Sequence, residues 1–225
     1  MQYTNLKKYG FTERFEQEAS FYEGLYPARV SEQHHYLYKV ISEEGELQAS
    51  VSGKLHYAAE GTMNFPAVGD WVMIDRVDGN SGNAVIRNIL RRKSFFARRA
   101  AGTKEDVQIV AANVDTIFIC MSLNTDFNLR RLERYLSIAW DSMASPVIVL
   151  TKADLCRDLE QKITEVSSVS SGADIIICSC TEEKGIDAVC PYIEEGKTIA
   201  FIGSSGVGKS TLINRLMGRE VLATK

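Results

Sequence analysis

Gly203-Ser204-Ser205-Gly206-Val207-Gly208-Lys209-Ser210 follows the apolar run Thr198 to Ile202 and precedes Thr211-Leu212-Ile213-Asn214-Arg215-Leu216. Strand, glycine-rich turn and helix are the reading, and G-x-x-x-x-G-K-S is the pattern of a phosphate-binding loop. A polyphosphate needs donors at close range. The three glycines remove side chains, so backbone N–H groups can turn toward phosphate oxygens. The helix beginning near Gly208 points unpaired N–H groups and its positive dipole end at the same anion. Lys209 supplies a point charge for the outer phosphates. The Ser210 hydroxyl is placed to ligate Mg²⁺, with Thr211 beside it. The loop implies a nucleoside triphosphate without naming the base.

The 225 residues suffice for one large domain or two small ones. No run approaches the ~18 apolar residues of a membrane helix, and the first twenty residues lack the apolar core of a signal peptide. No membrane contact is expected. Cys120, Cys156, Cys178, Cys180 and Cys190 form no C-x-x-C pair and read as reduced, core or near-core residues of a cytoplasmic protein. A net charge of −3 gives no global signal for nucleic acid, so any basic surface must be local.

Working toward the N-terminus, the texture changes twice. Residues 3–25 mix Leu6, Phe11, Phe15 and Leu25 with charges around Gly10 and predict a short helical extension. From Tyr26 to about Leu90 the pattern predicts five short strands with no helix between them: 28–33, 36–42, 47–52, 71–75 and 84–90. That reads as a small closed barrel, of the oligonucleotide-binding or SH3-like kind. Next, Arg91-Arg92-Lys93-Ser94-Phe95-Phe96-Ala97-Arg98-Arg99 places five positive charges in nine residues around two aromatics, with Lys104 following. Arginines there can pair with phosphates while a phenylalanine stacks on a base. Equally, this is an exposed linker whose phenylalanines pack on a neighbour.

From Val114 onward, apolar runs at 114–121, 146–150, 174–178 and 198–202 alternate with helical patterns. Leu129, Leu132, Leu136, Ala139 and Met143 share one face, capped by Asn128 or Asp126. Leu159, Ile163 and Val166 mark a second helix, and 186–193 a short third. Such alternation means a parallel sheet covered on both faces, which binds ligands at its strands' carboxyl ends.

The run 146–150 ends in Thr151-Lys152-Ala153-Asp154, a variant of the guanine-reading N-K-x-D. An ionised Asp154 can accept from both N1–H and the 2-amino group of guanine, neither of which adenine offers. The Lys152 stem can lie over the purine face, with its ammonium near the phosphate loop. Thr151 replaces the usual asparagine and keeps a donor of shorter reach. The run 174–178 ends in Ser179-Cys180, where backbone N–H groups of an S-A pair support guanine O6 in GTPases. The base-reading tetrad here precedes the phosphate loop, the reverse of the ordinary order, so the domain is circularly permuted. Close chain ends in compact α/β domains make this feasible.

With that order, five stretches resemble the ribosome small-subunit-dependent GTPases of the RsgA type: Phe65–Val72, Ala111–Asp115, Asp126–Tyr135, Thr151–Asp154 and Gly203–Leu212. The resemblance implies an α/β chain with an N-terminal extension (1–25), a five-stranded OB-fold barrel (26–92), a basic linker (93–113) and a circularly permuted P-loop GTPase domain (114–225). It implies GTP/GDP and Mg²⁺ as ligands, with hydrolysis of GTP in late maturation of the 30S ribosomal subunit. Binding to 16S rRNA and a monomeric state in the cytoplasm are expected with it. The family's switch threonine, its D-x-x-G and its zinc-binding Cys/His cluster follow the phosphate loop, and none lies before Lys225. The GTPase domain is therefore expected to be truncated at its C-terminal end, with Zn²⁺ in the missing segment and slow turnover. The residues that position the attacking water stay unassigned. Two other classes remain open: a passive RNA-binding barrel whose nucleotide domain does not hydrolyse, and an ATP-specific P-loop protein. The second should carry L-S-G-G-Q and should lack T-K-x-D.

Overall fold

The computed structural model describes residues 3–34, 37–59, 61–78, 82–99, 107–124, 126–179 and 185–224. They fall into two units: Met1–Val114 with Glu195–Thr198, and Asp115–Glu194 with Ile199–Lys225.

In the first unit, α1 (Thr4–Lys7) and α2 (Glu13–Ala19) are separated at Gly10, whose φ of 88° admits glycine readily. The stretch expected as an extension supplies half of a core: Leu6, Phe11, Phe15 and Ala19 pack with Ile41, Trp71, Met73 and Leu90. The barrel comprises β1 (Tyr26–His34), β2 (Leu37–Ser42), β3 (Gly45–Val51), β4 (Trp71–Ile74) and β5 (Ala84–Ile89). It closes in the order β1-β2-β3-β5-β4, with β1 antiparallel to β4 and β3 parallel to β5. That order selects the OB-fold over the SH3-like alternative. Inward residues alternate along each strand: Ala28 and Val30, Val40, Leu47 and Ala49, Val72 and Ile74, Ala84 and Ile86.

One expectation fails here. A helix, α3 (Gly53–Ala58), lies between β3 and β4. The Ser52 hydroxyl caps it, accepting from Leu55 N at 3.1 Å. No residue of α3 is buried, so no apolar period marked it.

The basic run is also more structured than a linker. Phe95–Arg99 forms β6, antiparallel to β7 (Val107–Ala112). Arg92 turns inward. Its Nε and Nη2 donate to Asp70 Oδ1 and Oδ2, both at 2.7 Å, and Nη1 and Nη2 donate to the Met63 and Phe65 carbonyls. Asp70 Oδ2 also accepts from Ala67 N at 2.8 Å. Gly69 has φ 90°, and a Cβ there would lie 2.2 Å from Ala112 O. Asn113 Nδ2 donates to Gly69 O at 2.9 Å. Two of the resemblance motifs, around 65–72 and 111–115, thus fasten one turn of the barrel to β7. Lys104 lies outside the described residues.

The second unit is a parallel sheet in the order β10-β9-β8-β11, from β8 (Thr116–Ser122), β9 (Ser145–Thr151), β10 (Asp174–Ile177) and β11 (Ile199–Ile202). Every residue of β8 after the first and every residue of β9 after the first is buried, so both faces are covered. Helix α4 (Leu129–Asp141) buries Leu132, Leu136 and Ala139, and α5 (Leu159–Val169) buries Val166. Helix α6 (Lys209–Met217) buries Leu212 among Phe118, Cys120, Val147 and Val149. Asn128 is the residue that caps α4, its Oδ1 accepting from Arg131 N at 2.9 Å. Met143 leaves the expected face: it lies past the end of α4 at φ 62° and is exposed. The third helix reduces to turns and a 3₁₀ turn at Cys190–Tyr192, with Pro191 in its first turn. Cys120 and Cys178 are buried as expected, whereas Cys190 is exposed. No helix among the described residues is long and apolar enough to cross a membrane.

Candidate functional site

Strand β11 delivers the chain to Gly203 (φ 144°), where a Cβ would stand 2.3 Å from the Cys120 carbonyl oxygen of β8. The first glycine of the loop is thus demanded by packing against the neighbouring strand. Gly206 (φ 81°) and Gly208 (φ 96°) take left-handed backbone with open or loosely occupied space beside them. Gly208 is the N-cap of α6, and no side chain caps that helix. Its first N–H groups are therefore available to an anion, which suits the phosphate of a nucleotide. Lys209 Nζ donates to Gly203 O at 2.7 Å and Ser204 O at 2.6 Å, folding the loop around its ammonium. Ser210 and Thr211 follow in the first turn, both half-buried, and the Ser210 hydroxyl is of the type that ligates Mg²⁺. Ser205 is exposed, Ser204 half-buried and Val207 buried. Gly203→Ala is expected to cost about 2 kcal/mol or more of stability and to weaken nucleotide binding together with it, because the clash is with backbone. Thermal melting and nucleotide titration of one preparation check this, and an unperturbed melting curve contradicts it.

The tetrad Thr151-Lys152-Ala153-Asp154 lies at the carboxyl end of β9. Thr151 Oγ1 donates to Val207 O at 2.5 Å. Its short reach, a weakness when judged against asparagine, is what fits it to tie the loop at this distance. Lys152, at φ 57°, sends its ammonium to Gly206 O at 2.8 Å. Ala153 and Asp154 enter a 3₁₀ turn, Ala153–Leu155. Asp154 Oδ1 accepts from the Ser179 hydroxyl at 2.8 Å, and Ser179 is buried. Asp154 Oδ2 takes no hydrogen bond among the described residues. The carboxylate is thus oriented through one oxygen. Cys180 lies outside the described residues.

Sequence spacing had separated these segments, and the structure brings them together. Two side chains of the tetrad touch two successive carbonyls of the phosphate loop. Sequence reasoning missed Ser179 as a partner of Asp154. It also missed Arg131, whose Nη1 donates to Ser204 Oγ at 2.6 Å. Neither residue type carries a local signal for these contacts.

A closed five-stranded barrel, followed in the chain by a parallel sheet whose glycine-rich loop comes after the strand ending in Thr151-Lys152-Ala153-Asp154, defines the fold of a circularly permuted P-loop protein. Residues 89–225 match the RsgA GTPase family, and the chain belongs to that family. It is 53% identical over 221 residues to the small ribosomal subunit biogenesis GTPase RsgA 2 of Lactiplantibacillus plantarum, covering 98% of this chain and 62% of that protein. Identity to RsgA of Methanosarcina acetivorans is 42% over 217 residues, covering 96% and 57%. The crystal structure of YjeQ from Thermotoga maritima superposes with a TM-score of 0.66 at 27% identity, covering 84% of this chain and 64% of that one. The fold is shared with YloQ, a circularly permuted GTPase, at a TM-score of 0.63 and 23% identity, covering 85% and 64%. The chain thus spans 57% to 62% of the length of these curated relatives.

Proposed function

We propose that this chain holds guanine nucleotides and that the protein hydrolyses GTP to GDP and phosphate as an assembly factor for the 30S ribosomal subunit. The observation that carries the reading is the double contact of Thr151 and Lys152 with Val207 O and Gly206 O. It places the end of the strand that carries Asp154 directly against the phosphate loop. Asp154 reads the N1–H and 2-amino edge, oriented by Ser179. Lys152 covers the purine face. The backbone N–H groups from Ser204 to Ser210 receive the phosphates, with Thr211 beside them and Lys209 beside the outermost. Ser210 would hold Mg²⁺, which supplies charge neutralisation between phosphates when bound.

The names of the relatives, small ribosomal subunit biogenesis GTPases, support the ribosomal role; the protein is taken to act in the cytoplasm as a monomer. For 16S rRNA, the surface of choice is the part of the basic run that the fold leaves free. Arg91 and Phe95 are exposed, whereas Arg92 is committed to Asp70. Among the described residues, no group of three or more His, Cys, Asp or Glu side chains is placed to hold a metal ion. The Zn²⁺ that the family resemblance implies is therefore assigned to no residue described here.

Competition against a fluorescent GDP analogue tests the base assignment. GDP should displace it at least ~10-fold more effectively than ADP, since two charge-assisted hydrogen bonds are at stake. Equal potency would remove the guanine reading in favour of a general P-loop protein.

A further inference from the structure

The stretch Asp126–Tyr135 carries part of the family resemblance, yet the nucleotide site as described gives it no task. Its polar side chains form a connected series that ends on the phosphate loop. Ser122 Oγ donates to Asn124 Oδ1 at 2.8 Å, and the same oxygen accepts from Asp126 N at 3.3 Å. Asp126 in turn receives Arg131 Nη2 on its carboxylate Oδ1 at 2.9 Å and on its backbone oxygen at 3.0 Å. The other terminal nitrogen, Nη1, reaches Ser204 Oγ at 2.6 Å. Arg131 sits in the first turn of α4, whose start is fixed by the Asn128 cap on Arg131 N.

A guanidinium is a rigid planar fork, so binding two partners on one side sets the direction of the third contact. Lys209 gathers the carbonyls of Gly203 and Ser204 from inside the loop. Arg131 holds the Ser204 side chain. The position directly before it, Gly203, is already pressed on Cys120 O. Three constraints therefore meet at the entry of the loop, and one of them is a charged side chain from a different element.

We infer that Arg131 is a positioning residue for the phosphate loop, acting through the Ser204 hydroxyl with Asp126 as its counter-ion. A cradle of backbone N–H groups binds anion well only if it is held in the binding geometry beforehand. Loss of the tether loosens the entry of the loop, and the cost falls on the phosphates. The base edge, read by Asp154, is not affected. The inference rests on the nucleotide reading proposed above.

The test measures affinity for GDP and for GMP, which lacks the β-phosphate, in the intact chain and in Arg131→Ala, Ser204→Ala and the double variant. Each single change should weaken GDP binding about tenfold, the scale of one charge-assisted hydrogen bond. GMP affinity should stay within about twofold, and the double variant should be no weaker than the worse single, because both remove the same link. Unchanged GDP affinity in Arg131→Ala, an equal loss for GMP, or multiplied losses in the double variant would each overturn the inference. Should Arg131→Ala not fold, Ser204→Ala carries the same GDP-against-GMP comparison. Failure of the unaltered chain to bind GDP would strike the nucleotide reading itself, whereas normal binding with insensitive variants would strike only the role of Arg131.

Discussion

Asp154→Asn should lower affinity for GDP by about 10² to 10⁴, the loss of two charge-assisted hydrogen bonds of ~1.5–3 kcal/mol each. The replacement keeps an oxygen for the Ser179 hydroxyl, which donates to Asp154 Oδ1 at 2.8 Å, so the side chain should stay in place. Its second atom becomes an amide nitrogen, a donor set against the 2-amino donor of guanine. Xanthine carries an oxygen at that position. The same variant should therefore bind xanthosine diphosphate more tightly than the parent does, and this gain separates a changed reader from a damaged fold. Calorimetric titration with both diphosphates decides it. Comparable GDP affinity in variant and parent would place the base somewhere other than beside Asp154.

The second large effect is on stability. Asp70 is fully buried and bonds Arg92 through both oxygens, and burial raises its carboxyl above the ordinary range against the pull of that guanidinium. Asp70→Leu removes the partner of an Arg92 side chain that is only 17% exposed, and it also strands Ala67 N–H. Breaking such a pair costs about 3 kcal/mol, which for a chain of this size lowers the melting temperature by roughly 6–12 °C. Adding Arg92→Met should recover part of the loss, because no uncompensated charge is then left behind. Melting curves of the single and double variants check this. A single variant that melts with the parent would mean that Arg92 finds water as readily as it finds Asp70. Arg92 cannot serve an rRNA phosphate without giving up this pair.

How far the chain could be read before folding follows from what each residue does locally. The phosphate loop and T-K-A-D were legible because few backbones put that glycine spacing between a strand and a helix. Strands β8 and β9 were legible as unbroken apolar runs. Helix α3 was not, because a helix with no buried residue leaves no period of 3.6 in the pattern. The end of α4 was misplaced because Met143 continues the apolar spacing after Ser142 has already closed the helix, its hydroxyl donating to Ala139 O at 2.7 Å. The basic run was legible as charge but not as structure. Nothing in Arg91-Arg92-Lys93 says which cation faces a buried carboxylate twenty-two residues earlier. In the candidate site, residue types were readable and partners were not. The contacts of Ser179 with Asp154 and of Arg131 with Ser204 join positions 25 and 73 residues apart.

The four residues Glu195–Thr198 belong to the unit that contains the barrel, although the chain on both sides of them belongs to the other. Gly10 is pressed onto Gly196 O there, and Arg29, stacked 5.0 Å from the Trp71 ring, donates to Thr198 Oγ1 at 2.5 Å. No single cut therefore divides this polypeptide into two self-sufficient pieces. A fragment starting at Asp115 would leave this short ribbon without its surroundings, one residue ahead of the strand that feeds the phosphate cradle.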